Sequence, residues 1–156
     1  MNDELGPTDI DFDQTVIGIE EEVGSHTVTA EDIRAYATAI GEVNPLYLDE
    51  IAARVGPHGK IIAPPLFIHT LRLNPGPDPK VHFGTTVFEA GTRIQSFEPI
   101  HAEDTITARA QITNVYAKTG RAGTMVFYVK RINYSNQHGH TIMTMDATMV
   151  RRKMDQ

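Results

Sequence analysis

Glu42 and Tyr47 are the residues of this chain whose types and spacing could do chemistry. They bracket Asn44-Pro45-Leu46 in the run Tyr36-Ala37-Thr38-Ala39-Ile40-Gly41-Glu42-Val43-Asn44-Pro45-Leu46-Tyr47. A carboxylate can take a proton from water, and a phenol can give a proton or hold a water. A rigid Asn-Pro step would set their separation. The pair has a built-in limit. A free tyrosine has a pKa of about 10, so roughly one in a thousand is ionised at pH 7. Using one as a base costs about 4 kcal/mol unless a cation helps. A plainer reading stands beside this one: Glu42 solvated after a helix, and Tyr47 in the core with its hydroxyl at the surface. Asn44 is expected to bond its own turn rather than a ligand, as Asn side chains readily do.

Other polar residues carry less. His138-x-His140 beside Gly139 has no evident third ligand, and structural zinc wants four, so no metal is expected. His69 falls in an apolar run and reads as a hydrogen-bonded core histidine, with a polar place in a tunnel as the alternative. His58 and His82 fall in loops. Arg151, Arg152 and Lys153 form a small basic end, either a solvated tail or an attraction for phosphates.

The elements that must position these groups follow from local signals. Thr29 is a good N-cap, with Asp32 three residues on to return the bond. Ile33, Tyr36, Ala37 and Ile40 make one apolar helix face, and Gly41 stops the helix. Leu48–Val55 reads as one or two further helical turns, and 56–59 as a loop. Pro64-Pro65 suits a helix start, so 66–71 is expected to be a short, almost wholly apolar helix, which must be surrounded. Residues 74–79, with three prolines and a glycine, are an irregular crossover. Val16–Ile19 and Ser25–Val28 are read as one kinked first strand. Val87–Phe97 reads as a strand preceding three more: Thr105–Val115, which alternates apolar and polar residues, Met125–Tyr134 and Thr141–Arg151. Turns at 118–121 and 137–140 would join these into an antiparallel meander. Helices followed by a meander indicate the α+β class.

The 156 residues suit one domain. Residues 1–14, with five acidic side chains, read as a flexible lead-in, and 15–156 as the single domain. A formal charge of −6 without a basic run argues against nucleic acid as the partner. No apolar run approaches the roughly 18 residues of a membrane span, and Met1–Gly6 resembles no signal peptide. Without cysteines there is no thiolate chemistry. The expected location is the cytoplasm.

Three motifs in order carry a resemblance. Gly41-Glu42-Val43-Asn44-Pro45-Leu46-Tyr47, then Ala63-Pro64-Pro65-Leu66-Phe67, then Val150-Arg151-Arg152 resemble the MaoC-like hydratases and dehydratases. The likeness is greatest to the N-terminal, fatty-acid-synthase-type dehydratase branch, and runs from about residue 29 to 152. The resemblance implies the hot-dog fold, an antiparallel sheet wrapped around a central apolar helix. It implies reversible hydration of trans-2-enoyl thioesters to (R)-3-hydroxyacyl thioesters. The substrate would be an acyl-CoA or an acyl carrier protein thioester, with no cofactor of the protein's own. Family members use an Asp and a His to activate water, and a helix N–H to hold the thioester oxygen. Many pair a catalytic hot dog with a degenerate one.

This chain departs from that pattern at the reacting groups. Glu42 stands for Asp, and its extra methylene shifts the carboxylate by about 1 Å, worth about 100-fold. Tyr47 stands for His. Pro65, lacking an N–H, stands where relatives have Gly, and one lost oxyanion donor costs about 100- to 1,000-fold. Leu46, Ile62, Leu66 and Phe67 are candidate tunnel walls, with Asn44 and Pro65 beside them and Arg151 and Arg152 toward the carrier's phosphates. The expected role is the degenerate, substrate-binding half of a hydratase/dehydratase, with little activity alone. The alternatives are a self-sufficient homodimeric hydro-lyase using Glu42 and Tyr47, or a non-catalytic acyl-thioester-binding module. Association, with a second copy or with a catalytic MaoC-like subunit, is expected because a single hot-dog sheet leaves an edge strand.

Overall fold

Long β-rich segments separated by two short turns dominate the second half of the chain, and they assemble as that pattern requires. The computed structural model describes residues 10–153. Its strands are β1 (Glu21–Thr27), β2 (Thr86–Ser96), β3 (Thr105–Gly120), β4 (Gly123–Ser135) and β5 (Thr141–Arg152). Its α-helices are α1 (Ala30–Ala39), α2 (Pro45–Leu48) and α3 (Glu50–Val55), with 3-10 turns at Gln14–Val16 and Pro65–Thr70.

All strand pairs are antiparallel, in the order β1-β3-β4-β5-β2. The meander β3-β4-β5 is as expected. β2 is not its first strand. The crossover at 71–85 carries the chain past the sheet, and β2 pairs with β5 at the far edge. The crossover is pinned where it passes: Asn74 N–H donates to the Val23 carbonyl (2.8 Å), and Lys130 Nζ to the Pro75 carbonyl (2.7 Å). Gly76 sits at φ +68°, and a Cβ there would lie 2.8 Å from Val23 Cγ1. The β3–β4 turn lies two residues later than expected. Lys118 and Thr119 pair with Met125 and Thr124, leaving Arg121-Ala122 as the turn before Gly123 at φ +88°. A bridge between the two threonine hydroxyls (2.9 Å) extends the ladder to that point.

The alternation in β3 places Ile106, Ala108, Ala110 and Ile112 inward. A bulge between Ile112 and Asn114 shifts the register by one residue. Val115 and Ala117 then face inward in turn, as one extra residue requires. The interior is two clusters. The larger joins Ile33, Phe67, Ile68, Ile106 and Tyr134, and the smaller joins Ile10, Val81, Ile112, Val115 and Val126. Burial pushes the Tyr134 phenol up to about 12.

The capping box forms as expected. Asp32 N–H donates to Thr29 Oγ1 (3.0 Å), and Thr29 N–H donates back to the Asp32 carboxylate (3.3 Å). Ile33 and Ala37 are buried, but Ile40 is half exposed, because it is the C-cap and the chain turns away at Gly41 (φ +75°).

Four expectations are corrected. Val16–Ile19 is not part of the first strand: Gln14–Val16 is a 3-10 turn and Ile17 makes a lone parallel bridge to Ile112. The apolar helix at the fold's centre is a six-residue 3-10 turn, closed by Thr70 Oγ1 donating to the Phe67 carbonyl (2.8 Å). Short, tight turns are typical of such geometry. Phe67 and Ile68 are buried, while Leu66 is 49% exposed, so this turn is surrounded on one side only. Residues 1–9 of the expected lead-in lie outside the described residues, but Ile10 and Phe12 pack into the smaller cluster, and Asp13 N–H donates to the Pro79 carbonyl (2.8 Å). Among the described residues no helix is long and apolar enough to cross a membrane.

Candidate active-site cavity

Asn44, Pro45 and a single helical turn place Tyr47. The Asn44 carboxamide oxygen accepts from Leu46 N–H (3.0 Å), capping α2, and Pro45 occupies the first helical position. Asn44 therefore spends its acceptor on its own turn. Behind it, Ile62 N–H donates to the Leu46 carbonyl (3.2 Å), and Ala63 N–H to the Ile100 carbonyl (2.8 Å). These bonds bring together three segments distant in the sequence. Between them lies a cavity of about 230 Å³, walled by Tyr47, by 62–65, by 96–100 and by Met143. Of the expected wall residues, Tyr47, Ile62 and Pro65 are here.

The others are elsewhere. Glu42 follows Gly41, donates its N–H to the Ala37 carbonyl (2.9 Å) and does not line the cavity. Leu46 is turned toward α3, its Cδ2 within 2.9 Å of where a Gly56 Cβ would be. Phe67 is a core residue, edge-on to Tyr36 with ring centroids 5.7 Å apart, and the exposed Leu66 is outside the cavity. His69 is exposed rather than in the core. Arg151 and Arg152 pair with Val87 and Thr86, at the opposite end of β5 from Met143. Eight residues of strand put them about 27 Å away. Arg151 is occupied in structure, its guanidinium donating to the Val81 carbonyl.

Sequence reasoning missed the 96–99 segment. There β2 ends, the Phe97 and Glu98 N–H groups both approach the Ile142 carbonyl (2.9 and 3.3 Å), and Pro99 stops any further pairing. Glu98 lines the cavity, and its carboxylate lies 3.7 Å from His140 Nδ1. The one local signal was a large aromatic and a carboxylate just before a proline that ends a strand.

Larger concavities exist, and size does not decide between them. A cavity of about 560 Å³ lies between the β1–α1 junction and α3. Of its charges, Lys60 pairs with Glu103 at 2.7 Å and Glu50 with Arg34 outside it at 3.5 Å, while Arg54 also lines it. The hydrogen bond from Lys60 holds the Glu103 carboxyl below its ordinary range. An open depression of about 840 Å³ spans the outer sheet face around Thr107, Arg109 and Asn133. There too Arg109 and Asn133 reach Glu20. Of these three, the 230 Å³ cavity is the one walled by Tyr47 and by the double proline, Pro64 and Pro65. No group of three or more His, Cys, Asp or Glu side chains that could hold a metal is found among the described residues.

Comparison with known proteins agrees with this geometry. The profile of the FAS1-like, dehydratase domain region matches residues 15–145. A UPF0336 protein of Streptomyces coelicolor is 27% identical over 115 residues, 70% of this chain and 77% of its own. A UPF0336 protein of Saccharopolyspora erythraea is 27% identical over 147 residues, 90% and 92% of the two chains. Among solved structures, the MaoC-like dehydratase from Rhodospirillum rubrum superposes with a TM-score of 0.68 at 18% identity, covering 97% of this chain and 99% of that one. The HadBC (3R-hydroxyacyl-ACP dehydratase) complex from Mycobacterium tuberculosis gives 0.66 at 22%, covering 88% and 98%. The ChsH1-ChsH2 complex from the same organism gives 0.69 at 20%, covering 89% and 85%. At these identities the structures establish the fold, and the profile establishes the family: the chain belongs to the FAS1-like dehydratase region, with a MaoC-like hot-dog fold.

Proposed function

We propose that this chain is the substrate-binding half of an (R)-specific enoyl-thioester hydratase/3-hydroxyacyl-thioester dehydratase, paired with a catalytic MaoC-like subunit. One observation carries the reading. The cavity at the family's site position keeps an apolar wall and a phenol, Tyr47, while Glu42 stands off its surface and Pro65 contributes no N–H. Such a wall can seat an acyl group and donate one hydrogen bond to its carbonyl, but it lacks the family's water-activating pair. The two mycobacterial fold relatives are solved as complexes, which supports a paired arrangement. The substrate in this reading is an acyl-CoA or an acyl carrier protein thioester, in the cytoplasm, and no cofactor is required.

The test is hydration of crotonyl-CoA by the purified chain, by a MaoC-like chain with intact Asp and His from the same organism, and by the co-expressed pair. Turnover should appear, or rise at least tenfold, only with both. Full activity from this chain alone would overturn the proposal. The self-sufficient alternative loses support from Glu42's position, and Glu42→Gln tests it directly, since a base at 42 predicts loss of turnover.

A further inference from the structure

We propose that a small cavity on the outer face of the sheet, between Arg93 and Arg131, is a second binding site, which takes a phosphoryl group. It lies on the opposite face from the Tyr47 cavity and does not rest on the acyl-site reading.

Strand alternation places the site. Ile94, Met145 and Ile132 stand in one row across β2, β5 and β4, and all three pack against the larger apolar cluster. Their neighbours in each strand therefore point to the other face. On that face Arg93, Asp146 and Arg131 form one row, and Gln95, Thr144 and Asn133 form the next. Arg93, Gln95, Arg131, Thr144 and Asp146 wall a cavity of about 180 Å³.

The wall has donors left over. Asp146 gives both its oxygens to Arg131, Oδ1 to Nε and Oδ2 to Nη2, each at 2.7 Å. Arg93 stands directly across from Asp146 on β2, yet is in no ion pair or hydrogen bond among the described residues. Two guanidinium groups against one carboxylate leave this wall net positive, in a chain of formal charge −6. The rows on either side, Gln95 with Thr144 and Asn133, and Gly91 with Thr148 and Val129, hold no acid. Glu20, which reaches the first of them, is held by Asn133 and Arg109.

The available donors are the Arg93 fork, Arg131 Nη1, the Gln95 carboxamide and the Thr144 hydroxyl. A phosphoryl group brings three acceptor oxygens and a charge of about −1.5 to −2 at pH 7, which suits several donors arranged around one space. A carboxylate brings two oxygens in one plane and is satisfied by a single guanidinium fork. Every wall residue is polar, so an apolar body has no seat here. Thr144 also lines the open depression around Arg109 and Asn133, which gives the polar remainder of a phosphorylated molecule a surface to lie along.

The experiment titrates the full-length, isotope-labelled protein with inorganic phosphate and, separately, with acetate at matched ionic strength, following backbone amide and arginine Nε–H signals by NMR. Phosphate should give saturable shifts at Arg93, Gln95 and Thr144, and should bind at least about tenfold tighter than acetate. Arg93→Ala should weaken phosphate at least about tenfold, and Thr144→Val by roughly threefold to tenfold. Arg121→Ala removes a cation in the β3–β4 turn and should change the affinity less than about twofold. Unshifted backbone signals away from the cavity show that each variant keeps the fold. Absence of saturable shifts, or an affinity unchanged by Arg93→Ala, overturns the site. Arg121→Ala weakening phosphate as much as Arg93→Ala would overturn it too, because the ion would then be drawn diffusely to the surface. Acetate binding as tightly as phosphate overturns the phosphoryl assignment. None of these outcomes bears on crotonyl-CoA hydration, so the acyl-site reading stands or falls separately.

Discussion

At the scale of single residues, Tyr47 and Glu98 line one cavity and Glu42 does not, and the proposed function puts the Tyr47 hydroxyl against the substrate. Tyr47→Phe removes one hydroxyl and leaves the ring to pack. If that hydroxyl holds the thioester oxygen, turnover of the paired enzyme should fall about tenfold, the cost of one lost hydrogen bond. Glu42→Gln should change it less than about twofold. A steady-state assay of both variants separates the two residues. Asn44 contributes to stability through its cap, and Asn44→Ala should cost about 1 kcal/mol in urea unfolding. Among the described residues, Asp104 is the one charged side chain that is buried. It accepts from His101 N–H (2.8 Å) and Gln137 Nε2 (3.0 Å), tying the entry to β3 to the β4–β5 turn. Asp104→Ala leaves both donors without this acceptor and should cost about 1–3 kcal/mol.

At the scale of elements, the β3–β4 hairpin and the β4–β5 ladder make separate predictions. Gly123 holds φ +88° at the hairpin turn, with open space around it. Gly123→Ala should therefore cost about 1–2 kcal/mol for backbone conformation alone, with no clash to relieve. Across β4–β5, Arg131 grips Asp146 through two hydrogen bonds of 2.7 Å. The hydrogen bond from Arg131 holds the Asp146 carboxyl below its ordinary value. A carboxyl with a lowered folded-state pKa stabilises the fold above its unfolded-state value and loses that contribution as pH falls through the folded one. The pair is partly exposed, so its worth is about 0.5–1 kcal/mol. Asp146→Asn should be less stable than the natural protein at pH 7, and the gap should begin to narrow below about pH 4 and close as pH falls through the lowered folded-state value. A gap that does not narrow at all between pH 7 and about pH 2.5 would assign the effect to packing instead.

At the scale of the whole molecule, the sheet ends in two edge strands, β1 and β2. β2 is exposed over nearly its whole length, including Val87 and Phe88, and its outer edge has no strand beside it among the described residues. Long uncovered edges are where chains pair, in keeping with the proposed pairing. The larger apolar cluster holds α1, the central 3-10 turn and β3 together. Ile33 is wholly buried in it, so Ile33→Ala should cost about 2–5 kcal/mol in urea unfolding. The variant should keep the natural protein's denaturant slope if the domain unfolds as one unit.

The sequence by itself determined whatever is local. The capping box at Thr29 and Asp32, the stop at Gly41, the Asn44-Pro45 turn and the inward alternation of Ile106 to Ile112 all act within a few residues, and all were legible. So was the family, because its motifs are short runs in a set order. Tertiary structure decided what depends on residues far apart in the chain. β2 reads as a strand from its composition, but its place beside β5 is set by how the proline-rich crossover is pinned to Val23 and Lys130. That Tyr47 and Glu98 line one cavity was equally hidden, because they reach it only where 62–65, 96–100 and the start of β5 converge. Arg151 and Arg152 carried a motif match, yet the length of β5 separates them from the cavity. Local signals report which conformation a segment prefers; which segments become neighbours is settled by long-range packing and pairing, and the site is made of neighbours.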